Sequence, residues 1–396
     1  MFPRVLQGEL VESAKRMPVV TLTGPRQSGK TTLVRHVFAD HAYVSLERPD
    51  ERSHAVEDPR GFLGRFKGPV ILDEVQRAPE LLSYIQVAVD EDPTPGSFIL
   101  TGSQNLLVME GISQTLAGRT AVLHLLPLAL TELFGRNSID PWHLDSPTEQ
   151  PAPGAPLWPT LWSGFYPRIH DAGLRPHRWL ADYHQTYIER DLRDVLRVLD
   201  IEAFERFMRL VAARTGQELN YSALAADVGI SQPTAKQWLS ALRVGFIVTL
   251  LSPHHASFRK RLRKSPKLHF IDTGLACYLL GIQDPSTLER HPLRGAIFES
   301  FVVGELVKAF ENRGREAPLF FWKDRTGHEI DVLIDLGDRL LPIEVKSGAT
   351  VSSDALDGLR WWLELPGNPN RKGVLVHGGL ESYRSADITV LPWFLK

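Results

Sequence analysis

The chain has 396 residues, of which 43% are hydrophobic and 23% charged, and its formal net charge is −2. This length exceeds the roughly 250 to 300 residues at which a single hydrophobic core stops growing, so we expect two or three domains. The small net charge gives no overall bias towards nucleic acid, and no segment reaches the ~18 uninterrupted apolar residues of a membrane helix.

Two features of the sequence concern the compartment. The N-terminal segment MFPRVLQGELVESAKR lacks the apolar stretch and small-residue cleavage site of a signal peptide. Cys277 is the only cysteine, which excludes an internal disulfide and a multi-cysteine zinc site. We therefore expect a cytoplasmic protein in a reducing compartment, without membrane insertion.

Short apolar runs alternate with amphipathic stretches through residues 1–138. This alternation predicts an α/β fold in which helices surround a parallel sheet. The runs are Val19 to Thr23, Tyr43 to Leu46, Val70 to Leu72, Phe98 to Thr101 and Ala121 to Leu126.

The segment GPRQSGKT after the first run fits the phosphate-loop pattern G-x-x-x-x-G-K-[ST], with a strand before it and a helix after it. Gly24 and Gly29 let backbone amides turn towards phosphates, while Lys30 would reach the β and γ phosphates and Thr31 would bind Mg²⁺. We predict ATP and Mg²⁺ as ligands; the alternative is a glycine turn that binds nothing. The predicted nucleotide-binding residues are Gly24, Pro25, Arg26, Gln27, Ser28, Gly29, Lys30, Thr31 and Thr32.

The second part of this predicted site is GPVILDEVQ, an apolar strand that ends in two adjacent carboxylates. Asp73 is placed to hold Mg²⁺ through water, and Glu74 to orient and deprotonate the water that attacks the γ phosphate. Without the phosphate loop, both would be interpreted as solvated acids at the end of a strand.

A third strand, FILTGSQN, ends in polar side chains that could sense the γ phosphate. We choose Ser103 for this role, with Thr101 and Asn105 as rivals. Arg119 follows a helical stretch and immediately precedes the last strand. An arginine there could reach the γ phosphate of a neighbouring subunit, although a simple surface arginine fits equally well.

Residues 139–160 are rich in proline, which fixes φ and removes a hydrogen-bond donor. We expect a surface loop or linker here rather than a helix or central strand. The following residues, 161–205, have a helical pattern with charged faces and are interpreted as a lid or connector. The prolines are Pro141, Pro147, Pro151, Pro153, Pro156 and Pro159.

The segment YSALAADVGISQPTAKQWLSAL at residues 221–242 has the helix, glycine turn and helix spacing of a helix-turn-helix, with Ser231 placed to cap the second helix. A run of cations follows in what looks like a hairpin, and such a hairpin beside a recognition helix could bind DNA phosphates. The alternative is an internal packing element with solvated charges. The cations are Arg259, Lys260, Arg261, Arg263, Lys264 and Lys267.

The C-terminal stretch HEIDVLIDLGDRLLPIEVKSG predicts two strands around a turn. If Gly337 and Asp338 are central in that turn, Asp331 lies opposite Glu344. Alternation then places Glu329, Asp331, Glu344 and Lys346 on one face. Facing carboxylates repel unless a cation lies between them or one of them takes up a proton. A divalent metal would remove the conflict, so we expect Asp331 and Glu344 to hold Mg²⁺, with Lys346 assisting hydrolysis.

This D…E-x-K pattern resembles the core of restriction-endonuclease-like enzymes, in which the preceding helix often supplies another acid. Glu299 is our choice for that acid, and Glu305 is its rival. The alternative is an exposed hairpin that Lys346 merely neutralises, in a domain that keeps the fold without catalysis.

Taken together, these segments resemble a widespread bacterial and archaeal family that couples an AAA-type ATPase module to a C-terminal domain of unknown function. The resemblance implies an AAA-type core with Arg119 at the arginine-finger position, hence oligomers, then a winged-helix element and a restriction-endonuclease-like (PD-(D/E)xK) core. The matching segments are GPRQSGKTTL, ILDEVQ, LTGSQN, LAGR, YIERDL, AARTGQELNYSALAADVGISQPTAKQWL, SPKLHFIDTGL and IEVKSG.

The resulting domain hypothesis has five parts: an ATPase core at 1–138, a proline-rich linker at 139–160, a helical connector at 161–205, a winged-helix element at 206–285 and a nuclease-like domain at 286–396. Our leading functional hypothesis is Mg²⁺-dependent ATP hydrolysis that controls a DNA-associated, nuclease-like module. The alternative is an ATP-dependent switch or scaffold that binds a protein partner and carries an inactive nuclease-like domain.

Overall fold

The computed structural model describes residues 1–103, 115–146, 151–188, 200–254, 265–366 and 368–395. The chain divides into two compact units. The first unit contains residues 1–128, 244–246 and 311–315, and the second contains residues 129–243, 247–310 and 316–396.

The first unit is built on a five-stranded sheet of order β2-β3-β4-β1-β5, in which every neighbouring pair is parallel. The sheet predicted from the apolar runs is confirmed. All six residues of β1 are buried, as expected for a central strand covered on both faces. The strands are β1 (Val19–Gly24), β2 (Ala42–Ser45), β3 (Val70–Asp73), β4 (Phe98–Ser103) and β5 (Thr120–His124).

Helices before and between the strands cover this sheet. Apolar side chains on these helices pack against the strands in two clusters, with Leu33 and Val34 in one and Phe62 and Ile85 in the other. The helices are α1 (Gln7–Ala14), α2 (Lys30–Val37), α3 (Pro49–Glu57), α4 (Pro59–Gly64) and α5 (Leu81–Glu91), and a 3₁₀ turn spans Val75–Arg77.

The second unit begins with short helices. The expectation that the proline-rich segment excludes a helix is wrong at its end, because a helix begins at Leu157 and contains Pro159. Proline is tolerated there because the first N–H groups of a helix have no intrahelical partner. These helices are α6 (Leu130–Leu133), α7 (Leu157–Ser163), α8 (Pro167–Asp171) and α9 (Pro176–Tyr183), and a π-helical turn spans His184–Ile188.

The predicted pair of helices around a glycine turn is present. Gly229 ends the first helix in the left-handed conformation (φ 84°), and the Thr234 N–H donates to Ser231 Oγ at 3.2 Å, so Ser231 caps the second helix. Both helices pack in one apolar cluster with the helix that precedes them. The three are α10 (Ile201–Ala213), α11 (Tyr221–Val228) and α12 (Gln232–Val244).

A nine-stranded mixed sheet of order β13-β14-β12-β11-β10-β9-β7-β8-β6 organises the rest of the second unit. Its strands are β6 (Gln217–Glu218), β7 (Val248–Pro253), β8 (Lys267–Phe270), β9 (Leu319–Lys323), β10 (Glu329–Asp335), β11 (Leu340–Lys346), β12 (Gly373–His377), β13 (Tyr383–Ser385) and β14 (Ile388–Pro392). Its helices are α13 (Thr273–Leu279), α14 (Pro285–Arg290), α15 (Arg294–Glu311) and α16 (Asp357–Leu363).

From α15 onwards the elements follow in the order helix, three strands, helix and strand, and the last two strands form the β13–β14 hairpin. Strands β7 and β8 pair antiparallel, but Arg259 to Lys264 lie outside the described residues. Within the described part of the chain, we find no helix long and apolar enough to cross a membrane.

Asp272 connects two helices of the second unit. Its carboxylate accepts hydrogen bonds from the Leu275 N–H at 2.8 Å, which caps α13, and from the Phe165 N–H at 2.7 Å beyond α7. Gly164 and Gly274 lie in close contact beside it, since a Cβ on Gly274 would meet the Gly164 backbone at 2.7 Å. Asp272, Phe165 and Leu275 are all buried, so solvent cannot replace the carboxylate as the partner of the two amides.

We expect Asp272→Ala to lower the free energy of unfolding by about 2 to 4 kcal/mol, because it removes a helix cap and leaves the buried Phe165 amide unsatisfied. Urea titration would measure the change. Asp284→Ala is the matched control, since Asp284 caps α14 at a solvent-accessible position and should cost less. Equal losses in the two variants would contradict the role assigned to the Phe165 contact.

Candidate functional site

The phosphate loop connects β1 to α2 at the carboxyl edge of the parallel sheet. Three of its residues have positive φ: Gly24 at 145°, Gln27 at 61° and Gly29 at 97°. A side chain at Gly24 is also excluded by space, since its Cβ would lie 2.2 Å from the Leu125 carbonyl oxygen. This left-handed backbone is the conformation that turns successive N–H groups towards one concave face, as phosphate binding requires.

Lys30 is buried at the start of α2, and its Nζ donates to the carbonyls of Gly24 and Pro25, both at 2.9 Å. Burial lowers the pKa of Lys30 to about 8, against the opposing effect of Glu74 and Asp73. The Ser28 hydroxyl is fully buried in the same loop and has no hydrogen-bond partner among the described residues. The loop therefore carries a buried cation and a buried donor.

Asp73 ends β3 beside this loop and accepts three hydroxyl groups. Thr31 Oγ1 lies 3.0 Å from Asp73 Oδ1 and 3.2 Å from Oδ2, and Tyr43 Oη donates to Oδ2 at 2.8 Å. Thr101 Oγ1 donates to Oδ1. Burial, followed by this carboxylate, raises the pKa of Tyr43 to about 12. A threonine hydroxyl beside an aspartate is an oxygen donor set suited to Mg²⁺, so Thr31 and Asp73 fit the ion.

Glu74 follows Asp73 with a left-handed backbone (φ 59°), which aims its side chain differently from those of the strand. Gln76 Nε2 donates to Glu74 Oε2. The Gln76 amide fits here because Gly102 has no side chain: a Cβ on Gly102 would lie 2.7 Å from Gln76 Oε1. Strand β3 therefore delivers both acids to the edge of the sheet that carries the phosphate loop.

The structure separates the three candidates for sensing the γ phosphate. Thr101 is buried and bound to Asp73, while β4 ends at Ser103, whose backbone pairs with Gly24. The Ser103 side chain and all of Asn105 lie outside the described residues. Ser103 stays our prediction for this role because its backbone position is level with the first glycine of the loop.

Arg119 lies at the amino ends of the strands of this sheet, opposite the carboxyl ends that carry the phosphate loop. Since β1 and β5 are parallel and Val19 pairs with Thr120, Arg119 lies next to the amino end of β1, five residues or about 16 Å from Gly24. Its guanidinium pairs with Asp90 at 2.5 and 2.9 Å. Arg119 therefore cannot serve the phosphate loop of its own chain, which leaves a neighbouring subunit's site or the surface ion pair.

Three site residues were missed in the sequence. Arg4 is buried and donates to the Ser28 carbonyl at 2.6 Å and the Leu126 carbonyl at 2.7 Å, so it fastens the phosphate loop to the chain after β5. Tyr43 and Gln76 bind Asp73 and Glu74. Gln76 stands within the motif ILDEVQ, but nothing in the sequence near Arg4 or Tyr43 signals these contacts.

The C-terminal carboxylates form a second cluster, within the second unit. The register Val332↔Ile343 and the turn at Gly337 and Asp338 confirm the predicted hairpin, and their continuation places Asp331 opposite Glu344. Asp331 Oδ2 accepts the Val345 N–H at 2.9 Å.

Lys267 enters this cluster from β8. Its Nζ lies 3.1 Å from Glu299 Oε1 and 3.9 Å from Asp331 Oδ1, and it also forms an ion pair with Glu329. The prediction that Lys267 contacts DNA phosphates is wrong, because the residue is 4% exposed and committed to these carboxylates.

Burial shifts the titration of this cluster. Burial, followed by the charge of Asp331, raises the pKa of Glu299 to about 8 and that of Glu344 to about 7. Burial also raises the pKa of Asp331, although Lys267 opposes the shift. Lys346 Nζ donates to Glu344 Oε1 at 2.6 Å.

The predicted metal ligands Asp331, Glu344 and Glu299 do not fit a divalent ion as they are arranged here. The Lys267 ammonium lies between Glu299 and Asp331, and the described residues contain no group of three or more His, Cys, Asp or Glu side chains placed to hold a metal. The rival acid Glu305 lies outside this cluster. Its buried carboxylate forms an ion pair with Lys308, with 2.8 Å between Oε1 and Nζ, and its Oε2 accepts a hydrogen bond from the Leu130 N–H at 2.8 Å.

Comparison with protein families finds three matches along the chain. Residues 16–134 match the family described as an AAA domain, which supports ATP binding. Residues 157–286 match a domain of unknown function, DUF8612, and residues 294–395 match another, DUF4143.

Two relatives and one solved structure are also similar. The chain is 32% identical over 339 residues to "Uncharacterized protein Mb2031c" of Mycobacterium bovis and to "Uncharacterized protein Rv2008c" of Mycobacterium tuberculosis, and each alignment covers 85% of this chain and 72% of the relative. The Walker-type ATPase PABY2304 of Pyrococcus abyssi is 17% identical, with 70% of this chain and 96% of that chain covered and a TM-score of 0.43.

We expect Lys30→Ala to weaken ATP binding by about 100-fold or more, because charge-assisted contacts to two phosphates contribute roughly 1.5 to 3 kcal/mol each. Calorimetric titration with ATP and Mg²⁺ would measure the affinity. Lys15→Ala is the control, since Lys15 pairs with Glu12 on the exposed face of α1. If Lys30→Ala bound ATP as tightly as the unsubstituted chain, the assignment of residues 24–32 as a phosphate loop would be wrong.

We expect Gln76→Ala to lower kcat for ATP hydrolysis about tenfold while KM stays within about twofold, because Gln76 holds Glu74, whose predicted role is in hydrolysis rather than in ATP binding. Steady-state phosphate release would measure both constants. Arg77→Ala, in the same 3₁₀ turn, controls for disturbance of the turn. An increase in KM with unchanged kcat would show that Gln76 acts on binding instead.

Proposed function

We propose that this chain, which belongs to the same family as the mycobacterial proteins Mb2031c and Rv2008c, is a Mg²⁺-dependent ATPase that works as a nucleotide-controlled switch. One observation carries the proposal: Lys30, Thr31 and Asp73 lie together at the carboxyl edge of a parallel sheet, around a loop of left-handed residues. The match of residues 16–134 to an AAA domain supports the same assignment.

In this proposal the loop residues 24–32 bind the triphosphate through backbone N–H groups, and Lys30 exchanges its two carbonyl contacts for phosphate oxygens. Arg4 keeps the loop in place from behind. Thr31 and Asp73 would hold Mg²⁺, which neutralises charge on the phosphates when it is bound. The hydroxyls of Tyr43 and Thr101 orient Asp73 for this task.

Glu74 supports hydrolysis rather than binding alone. A carboxylate next to the magnesium ligand can accept a proton from a water molecule aligned with the γ phosphate, and the bond to Gln76 fixes which oxygen faces the site. Ser103 would sense the γ phosphate from the neighbouring strand. Arg119 would act in the site of a neighbouring subunit, once freed from Asp90, which requires a homo-oligomer.

The second unit has two candidate roles. One is an ATP-dependent switch or scaffold whose nuclease-like domain is inactive, and the other is control of an active nuclease. The position of Lys267 among the carboxylates favours the first. DNA association belongs to the second role, control of a nuclease-like module, and the capped helix pair α11 and α12 supports it because this pair has the spacing of a helix-turn-helix. Hydrolysis assays with and without DNA separate the two roles.

We expect Glu74→Gln to lower kcat about 10²- to 10⁴-fold while ATP affinity stays close to that of the unsubstituted chain, because only the general base is lost. Phosphate release and calorimetry would measure the two quantities. Added duplex DNA should leave the rate of the unsubstituted chain unchanged if the second unit serves a protein partner. Stimulation by DNA would instead favour the DNA-associated module, and equal rates in both proteins would exclude Glu74 as the base.

A further inference from the structure

We infer that the Lys267 ammonium, in contact with Glu299, Glu329 and Asp331, is the built-in counter-ion of the C-terminal acidic cluster and takes the role of a divalent cation there, so that Asp331 and Glu344 hold no metal. This inference deepens the proposed function, because a cluster closed to divalent cations is what an inactive nuclease-like domain requires. It does not depend on ATP hydrolysis by the first unit.

The position of the ammonium is the first argument. Carboxylates from α15 and β10 converge on Lys267 Nζ, at 3.1 Å for Glu299 and 3.9 Å for Asp331, with Glu329 also in contact. A divalent ion needs carboxylate oxygens at about 2.0 to 2.6 Å around one point. Nζ fills the point shared by the Glu299, Glu329 and Asp331 oxygens, which leaves no space for an ion at that point while the lysine remains.

The second argument is that Lys267 is held in place. It belongs to β8, which lies between β7 and β6, and its backbone pairs with Leu251 on one side and Glu218 on the other. This two-sided register fixes the face on which the side chain emerges. The side chain is 5% exposed, and Nζ lies 5.5 Å from the centre of the Phe321 ring. Withdrawal of the ammonium would leave the partly buried carboxylates of Glu299 and Asp331 without this counter-ion.

The third argument is that each of the four carboxylates already has a donor. Lys323 lies 3.2 Å from Glu329, Lys346 lies 2.6 Å from Glu344, and the Val345 N–H donates to Asp331. Three ammonium groups therefore face four carboxylates, which leaves little negative charge to attract a divalent cation.

The remaining polar atoms of the cluster do not complete a metal site. Glu344 Oε2 is the one oxygen of these four carboxylates that is buried without a hydrogen-bond partner among the described residues, and one oxygen is too few. His269 Nε2 lies 3.8 Å from Glu299, while its Nδ1 is 3.1 Å from Ser300 Oγ. His269 therefore lies near Glu299, which Lys267 already contacts, and it does not supply a second ligand beside Glu344.

The test is Mn²⁺ binding to the nucleotide-free full chain, measured from the electron paramagnetic resonance signal of free Mn²⁺. The unsubstituted chain and Asp331→Asn should bind Mn²⁺ equally, within about twofold, because Asp331 holds no metal. Lys267→Met should gain a Mn²⁺ site, with an affinity at least about tenfold higher than any Mn²⁺ binding of the unsubstituted chain. The double variant Lys267→Met/Asp331→Asn should lose this site again. Lys323→Met removes the same charge at the exposed edge of the cluster and should gain no site.

Two results would overturn the inference. One is Mn²⁺ binding by the unsubstituted chain that Asp331→Asn weakens tenfold or more, which would make Asp331 a metal ligand despite Lys267. The other is a folded Lys267→Met variant that gains no site. If Lys267→Met does not fold, the comparison of the unsubstituted chain with Asp331→Asn decides alone. Because no nucleotide is present, failure of the ATPase proposal would leave either result unchanged.

Discussion

Compensation of buried carboxylates is the constraint on which both candidate sites depend. Asp73 is 5% exposed, and four segments of the first unit meet at it: β3 supplies the acid, while Thr31, Tyr43 and Thr101 supply hydroxyls from α2, β2 and β4. An ionised group can remain buried only if such donors surround it. Hydroxyl donors carry no charge, and so this carboxylate keeps the negative charge that attracts a cation.

The C-terminal cluster satisfies the same constraint in a different way. There the donors are charged: Lys267, Lys323 and Lys346 approach Glu299, Glu329 and Glu344. An internal ammonium neutralises the acids permanently, whereas hydroxyl groups leave them available. We therefore infer that the two acidic clusters differ in metal binding, because one is surrounded by hydroxyl donors and the other by ammonium groups.

The nucleotide site also shows how a loop of strained backbone is supported. Gly24, Gln27 and Gly29 have positive φ, which an isolated chain would rarely adopt together. Arg4 and Lys30 hold the loop by donating to carbonyls of Ser28, Gly24 and Pro25. The amide groups are therefore organised before any ligand arrives, which reduces the entropy lost on binding.

The sequence by itself determined the parallel sheet, the phosphate loop, the paired acids after β3, the helix pair around Gly229 and the hairpin register of Asp331 and Glu344. These features are local: they follow from apolar periodicity, from glycine and from turn length within short segments.

Only the tertiary structure decided that Tyr43 and Gln76 support the two acids, that Arg4 fastens the loop, and that Lys267 lies inside the C-terminal cluster. Lys267 is separated from Asp331 by 64 positions, and β7 and β9 lie between their strands β8 and β10 in the sheet, so nothing in either segment signals that the two side chains meet. A lysine next to a basic run predicts solvent exposure, and the reverse is observed because burial is a property of the assembled sheet.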